Sequence, residues 1–162
     1  MTNITRFILT LTVFASAFTT HAAKADDDRA VVEAFYSKLL SGTTSADLPA
    51  RMAEVLAPDW QSRGDYASVA KTRDQFLKQL QGTGSIVPNL TWKIEEILHI
   101  GNRYVVRGHA SATPVRPFLG VEPSDRSFDI MSIDIHTVEN HKIVKSYHVE
   151  DWHGAIEQLK SK

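Results

Sequence analysis

Two stretches near the C-terminal end of this chain concentrate its proton-handling side chains. Residues 127–138 carry Ser132, Asp134 and His136; residues 143–150 carry Ser146, His148 and Glu150. Within each stretch these residues are spaced two apart, so on β-strands they share one face. A carboxylate beside an imidazole orients the ring and stabilises its charged form, leaving the second ring nitrogen to move a proton. Asp134 and His148 are one such candidate catalytic pair, on separate strands, and their meeting depends on the connection between the strands. A two-residue turn at Asn140-His141 pairs Glu139 with Lys142 and sets Asp134 opposite Tyr147, which leaves His148 on the other face. A three-residue loop, Glu139-Asn140-His141, sets Asp134 opposite Ser146 and diagonal to His148, within reach of long side chains. Neither turn has the glycine that would decide between them.

Blander readings compete for the same residues. His148 also reads as a hydrogen-bonded structural histidine. Asp134, His136, His148 and Glu150 are suitable metal ligands by type, but no recognised ligand spacing supports that, and no metal is expected. Asp151 reads as a helix cap, and His99 and His141 as ordinary strand or turn residues. His109 is the best of the remaining histidines for lining a cavity. Trp60 reads as a cavity-mouth aromatic or as a plain core residue.

The elements that must position these groups are legible from periodicity. Val31, Val32, Phe35, Leu39 and Leu40 recur at helical spacing, with Gly42 ending the run. A second helix fits Ala46 to Leu56, stopped by Pro58. Thr72-Arg73-Asp74-Gln75 reads as a capped start for a third, continued by Phe76, Leu77 and Leu80 and closed by Gly82 and Gly84. From Leu90 the period becomes two. Strands are expected around Trp92–Glu96, after the Gly101-Asn102 turn, over Ser127–Val138 and over Ile143–Val149, with a closing helix from Trp152 to Leu159 behind Asp151. Helices followed by antiparallel strands indicate one α+β domain.

Three local motifs carry a family resemblance. Leu119-Gly120-Val121-Glu122-Pro123-Ser124-Asp125-Arg126-Ser127-Phe128 is similar to the loop pattern G-x-P-P-T-D-R-x-F of the SnoaL-like polyketide cyclases, with Glu122 in place of the first proline. Asp151-Trp152-His153-Gly154-Ala155-Ile156-Glu157-Gln158-Leu159 resembles the family ending D-F-x-G-x-L-x-Q-L. Ala57-Pro58-Asp59-Trp60 is similar to the H-P-D-Y that follows the family's second helix. The spacing between the first two motifs matches, apart from one residue fewer before Asp151. The resemblance implies a cone-shaped nuclear transport factor 2-like fold, in which a curved antiparallel sheet wraps around N-terminal helices and leaves an internal cavity. It also implies cyclisation by aldol chemistry with no metal or organic cofactor, using a carboxylate on the last strand and a histidine on the strand before. Here the two types have exchanged places: Asp134 stands where the family has its histidine and His148 where it has the catalytic carboxylate.

The resemblance favours the three-residue loop. That register puts Ile130, Ser132, Asp134, His136, Val144, Ser146, His148 and Glu150 on the cavity side, and Met131, Ile133, Ile135, Ile143, Tyr147 and Val149 outside. An apolar outer face needs a partner sheet, so a homodimer is expected. Trp60, His109, Phe128, Ser132 and Glu150 are the expected substrate-binding residues. The expected activity is acid/base chemistry (cyclisation, isomerisation or hydrolysis) on a small apolar carbonyl compound. The alternatives are a non-catalytic ligand-binding module and a dimerising interaction domain of the same fold.

The ends and the composition set the context. Arg6 is followed by an uncharged apolar run from Phe7 to Phe18, too short for a membrane span, which needs roughly 20 residues. Ala23-Lys24-Ala25 then offers small residues at signal-peptidase spacing, before three aspartates. This is the pattern of a secretory signal peptide over residues 1–25, with Ala25 favoured over Ala22 as the cleavage point, followed by the domain over 26–162. The mature protein is expected in the periplasm or outside the cell. With no cysteine in the chain, a cysteine-linked lipid anchor is excluded and the fold uses no disulfide. Cleavage removes Arg6 and Lys24 and no acid, taking the net charge from −1 to about −3. No basic run or stripe is present, so nucleic acid and anionic membrane surfaces are poor partners. N-terminal sequencing of the protein recovered from its native compartment should begin at Asp26, and an intact Met1 on exported material would rule out the signal.

Overall fold

A computed structural model describes residues 28–161; the signal segment, residues 1–25, lies outside them. The first helical segment, α1, spans residues 28–40 and changes from α- to π-helical geometry over Phe35–Leu40. Phe35, Tyr36, Leu39 and Leu40 are all buried. Neighbouring positions such as 35 and 36 point about 100° apart on a regular α-helix, and the wider π-turn lets this helix end present a broader buried face.

The second helix, α2, is Leu48–Val55, shorter than expected, with proline in its first turn. Leu56 does not continue it but opens a strand, β1, Leu56–Arg63. Pro58 thus lies inside a strand rather than ending a helix. It is tolerated because β1 pairs with its neighbour at Leu56 and again only from Gln61, so the proline sits in an irregular stretch that requires no N–H from it. A two-residue strand, β2 (Lys71–Thr72), pairs antiparallel with β1 and leads directly into α3 (Arg73–Ile86). The capping box is complete: the Thr72 hydroxyl accepts from the Gln75 N–H, and the Gln75 side chain accepts from the Thr72 N–H. Contrary to the sequence reading, α3 runs through Gly82 and Gly84 to Ile86. Gly84 is a packing glycine, because a Cβ there would lie 2.8 Å from the Thr43 carbonyl oxygen.

The remaining strands are β3 (Thr91–Ile100), β4 (Arg103–Ala112), β5 (Phe128–Glu139) and β6 (Lys142–Glu150), and the chain closes with α4 (Trp152–Lys160). The Asp151 carboxylate caps α4 by accepting from the Gly154 N–H. The sheet order is β2-β1-β6-β5-β4-β3. All neighbours are antiparallel except β1 and β6, which run parallel. This is the expected α+β architecture, a curved and unclosed sheet with helices packed on its concave side.

The β5–β6 hairpin follows neither expected register. Asn140 and His141 form a two-residue turn with φ of 50° and 57°, the left-handed geometry of tight hairpins, and Glu139 pairs with Lys142. A regular ladder from that turn would set Asp134 opposite Tyr147. A β-bulge intervenes: Val138 pairs with Ile143 but Thr137 pairs with Lys145, leaving Val144 unmatched. The extra residue moves β6 by one place, and Asp134 lies directly opposite His148, as Ser132 does opposite Glu150 and His136 opposite Ser146. The bulge also exchanges two expected faces, since Ile143 is fully buried and Val144 is not. Elsewhere the alternation holds. Phe128, Ile130, Ser132, Asp134, His136 and Val138 point inward, while Met131, Ile133 and Val149 are exposed on the outer face.

Candidate functional site

Between the concave sheet face, α1, α3 and the end of α4 lies a partly open cavity of about 220 Å³. Phe35, Trp60, Phe76, Trp92, Phe118 and Trp152 give its wall a large aromatic share. Its polar lining is Ser62, Lys71, Gln79, Thr83, Asp134, Ser146, His148 and Glu150. Few polar groups converging in an apolar hollow is the usual composition of a small-molecule site.

Asp134 projects from β5 and is 4% exposed. The Tyr36 hydroxyl donates to its Oδ2 at 2.9 Å, and the Ser132 hydroxyl approaches the same oxygen at 3.4 Å. Burial raises the Asp134 pKa to about 7; the Tyr36 hydrogen bond opposes this, the Glu150 charge adds to it, and His148 and Ser132 pull it back. The same burial, with the Asp134 charge beside it, holds the Tyr36 hydroxyl well above its ordinary range, so Tyr36 stays protonated.

His148 faces Asp134 across the strand pair, but its hydrogen-bond partner is Glu150, two residues along β6, with Nδ1 2.8 Å from Oε1. The expected orienting contact from Asp134 is thus supplied by Glu150. The reason is geometric: residues two apart on one strand lean along the same face, and Asp134 is already committed to Tyr36. A carboxylate on Nδ1 leaves Nε2 as the nitrogen turned to other partners. Gly64, which follows β1, permits this placement, because a Cβ there would lie 2.9 Å from His148 Cε1 and 3.1 Å from Nε2.

His136 is fully buried, with Nε2 3.0 Å from the Tyr36 hydroxyl and Nδ1 2.9 Å from the Ser146 hydroxyl. Burial, and secondarily the nearby His148, lower its pKa to about 3, so it is a neutral ring with both nitrogens occupied. That removes it from the metal-ligand alternative, and no group of three His, Asp or Glu ligands occurs among the described residues. Trp60 lines the cavity and donates its indole N–H to Ser146 at 3.1 Å.

Three expected substrate-binding residues lie elsewhere. His109 points outward from β4, where Asp129 is 2.9 Å from Nε2 and Glu95 is 3.4 Å from Nδ1; inward positions on that strand belong to Tyr104, Val106, Gly108 and Ala110. Phe128 stands behind the wall, stacked on Phe118 and edge-on to Trp152. Ser132 is buried beneath Asp134. Two residues not singled out from the sequence belong to the site. Tyr36 is not part of the helical repeat read from Val31, Val32, Phe35, Leu39 and Leu40, and no local motif marks it. Lys71, half-buried on β2, has its ammonium 5.9 Å from the Phe76 ring centre and its pKa lowered by burial, with Glu150 opposing. Lys71 lies on a two-residue strand that no periodicity could announce.

The raised Asp134 pKa makes a stability prediction. Between its ordinary value of 3.8 and about 7 the folded protein holds this proton more tightly than the unfolded chain does. The contribution is therefore complete below the lower value and lost as pH rises through the upper one. Denaturant unfolding should show the stability of wild type falling relative to Asp134→Asn across that interval, by on the order of a few kcal/mol. A difference that does not change with pH would mean that Asp134 is ionised normally.

Comparison with known proteins agrees with this architecture. No curated protein matches the sequence. Among solved structures, the chain is similar to IdmH of Streptomyces antibioticus, described as a candidate polyketide cyclase, with a TM-score of 0.71 and 24% identity over 82% of this chain and 97% of that one. It is similar to a candidate SnoaL-like polyketide cyclase from Jannaschia sp. CCS1, with a TM-score of 0.72 and 17% identity over 85% and 94% of the two chains. It is also similar to AclR of Streptomyces galilaeus, described as a candidate hydroxylase, with a TM-score of 0.70 and 16% identity over 85% and 98%. At these identities the likeness establishes the fold, which is nuclear transport factor 2-like. The family model for SnoaL-like polyketide cyclases matches residues 30–159, nearly the whole described chain, and the protein belongs to that family.

Proposed function

We propose that this protein is an exported enzyme that performs acid/base chemistry on a small apolar carbonyl compound held in the aromatic cavity. The observation that carries the reading is the placement of two proton-handling groups, the Asp134 carboxyl and the His148–Glu150 pair, on paired strands in the wall of one apolar hollow. A carboxyl titrating near neutrality both accepts and returns a proton at working pH. The imidazole of His148, oriented by Glu150, supplies a second proton or polarises a carbonyl. Cyclisation, isomerisation and hydrolysis all draw on that pair of capacities. At about 220 Å³ the cavity is smaller than the roughly 300–1,000 Å³ of drug-sized ligand sites, which favours a substrate of one or two rings over an extended polycycle. A hollow of this size also argues against an interaction domain whose cavity is filled by its own side chains.

The exposed Met131, Ile133 and Val149 on the outer face support a homodimer joined through the sheets. Light scattering at micromolar concentration should give the dimer mass, reduced toward the monomer by Ile133→Lys. A monomer at every concentration would leave the outer face without that role.

The catalytic reading is tested by screening small ketones and esters for consumption and then measuring variants. His148→Gln and Glu150→Gln should each lower kcat by about 10²–10⁴-fold, and the double variant should be little worse than His148→Gln, because the two act as one unit. Asp134→Asn should cause a separate loss. Ligand binding without turnover would identify a binding module, and wild-type turnover in folded His148→Gln would remove His148 from the mechanism.

A further inference from the structure

Behind the cavity wall, four polar side chains make a continuous chain. Ser146 Oγ lies 2.9 Å from His136 Nδ1, His136 Nε2 lies 3.0 Å from the Tyr36 hydroxyl, and Tyr36 donates to Asp134 Oδ2 at 2.9 Å. The two ends, Ser146 and Asp134, both line the cavity. The middle is sealed, since His136 is 0% and Tyr36 1% exposed.

Valence gives this chain a direction. A tyrosine hydroxyl has one hydrogen, and with Asp134 ionised that hydrogen goes to the carboxylate. The hydrogen between Tyr36 and His136 must then sit on Nε2. A neutral imidazole with Nε2–H has a bare Nδ1, so Ser146 donates its hydroxyl hydrogen there. The Trp60 indole, which can only donate, satisfies one lone pair of Ser146 at 3.1 Å. Every hydrogen along the chain points towards Asp134.

We propose that Ser146, His136, Tyr36 and Asp134 form a proton relay, through which a proton taken from a hydroxyl-bearing substrate (an enol, phenol or alcohol) at Ser146 comes to rest on the Asp134 carboxylate. The substrate O–H bond breaks as a new Ser146 O–H bond forms. The former Ser146 hydrogen moves to Nδ1, the Nε2 hydrogen moves to the Tyr36 oxygen, and the Tyr36 hydrogen moves to Oδ2. Negative charge passes from the carboxylate to the substrate oxygen, and nothing is oxidised or reduced. His136 remains neutral and exchanges one tautomer for the other, the route its burial favours over a charged ring. The relay rests on the acid/base reading of the cavity and adds Ser146 as a second point of proton exchange, with His136 and Tyr36 as positioning residues. The groups facing Asp134 are Tyr36 from α1, Ser132 on its own strand, and His148 and Glu150 from β6; Lys71 stands on the same cavity wall from β2, and His148 also faces His136.

The relay predicts that the His136 tautomer follows the protonation of Asp134, which nitrogen NMR of isotope-labelled histidines reads in the ligand-free protein. With Asp134 ionised, His136 should carry its hydrogen on Nε2; as the Asp134 carboxyl takes up a proton, the hydrogen should appear on Nδ1 with the same midpoint. Tyr36→Phe should uncouple the two, leaving a tautomer that ignores pH. If that variant does not fold, Asp134→Asn gives the same pH-independent readout. A wild-type His136 that keeps one tautomer throughout the titration of Asp134 overturns the relay. No substrate enters the experiment, so that result would leave the acid/base reading of the cavity standing and remove the relay alone.

Discussion

The concave face of this sheet carries a nearly buried carboxyl and a fully buried imidazole, and a buried polar group costs free energy unless it is hydrogen-bonded. The hydroxyl of Tyr36 meets that requirement for both, standing 2.9 Å from Asp134 and 3.0 Å from His136. Its position depends on the π-helical end of α1, which turns Tyr36 as well as Phe35 into the core. Helix docking and site chemistry are thus one constraint. If α1 shifts, Asp134 and His136 lose their common partner, and the cavity loses the side chains of Phe35 and Leu40 from its wall.

The same enclosure that requires Tyr36 also tunes the groups it leaves in the wall. Burial disfavours charge, which moves Asp134 upward to about 7 and His136 downward to about 3. Asp134 is thereby poised to exchange a proton near neutrality, while His136 is held neutral. His148 keeps its partner Glu150 and a less enclosed position. Two carboxyls and two histidines, in or just behind one cavity wall, are separated in role by depth of burial and by which hydrogen bond each has already made.

Family membership bounds the function without supplying the reaction. One fold serves many chemistries, so the function must be argued from the polar groups on the inner face of this sheet. In this chain the carboxyl and the imidazole occupy each other's expected strands, yet the bulge at Val144 brings them opposite one another. Proton transfer between a bound molecule and either group remains geometrically open, while the substrate atom that each one faces would differ from the family pattern.

Much of the architecture was legible in local order. The Thr72–Gln75 capping box, the inward-outward alternation of β4 and β5 and the Asp151 cap each involve residues close in sequence, and each appears in the fold as read. Local order also brought Asp134, His148, Glu150 and Trp60 forward as cavity residues. What it could not decide depended on residues far apart. Strand β1 was hidden because its pairing with β6 skips the stretch around Pro58. The facing of Asp134 and His148 turned on a single unmatched residue, Val144, that no turn signal announces. Tyr36 lies 98 residues before Asp134, and only the packing of α1 against the sheet makes them partners. Hydrophobic period and capping are short-range preferences carried by neighbouring residues, whereas the pairing of buried polar groups is a long-range condition that exists only once the chain has closed around them.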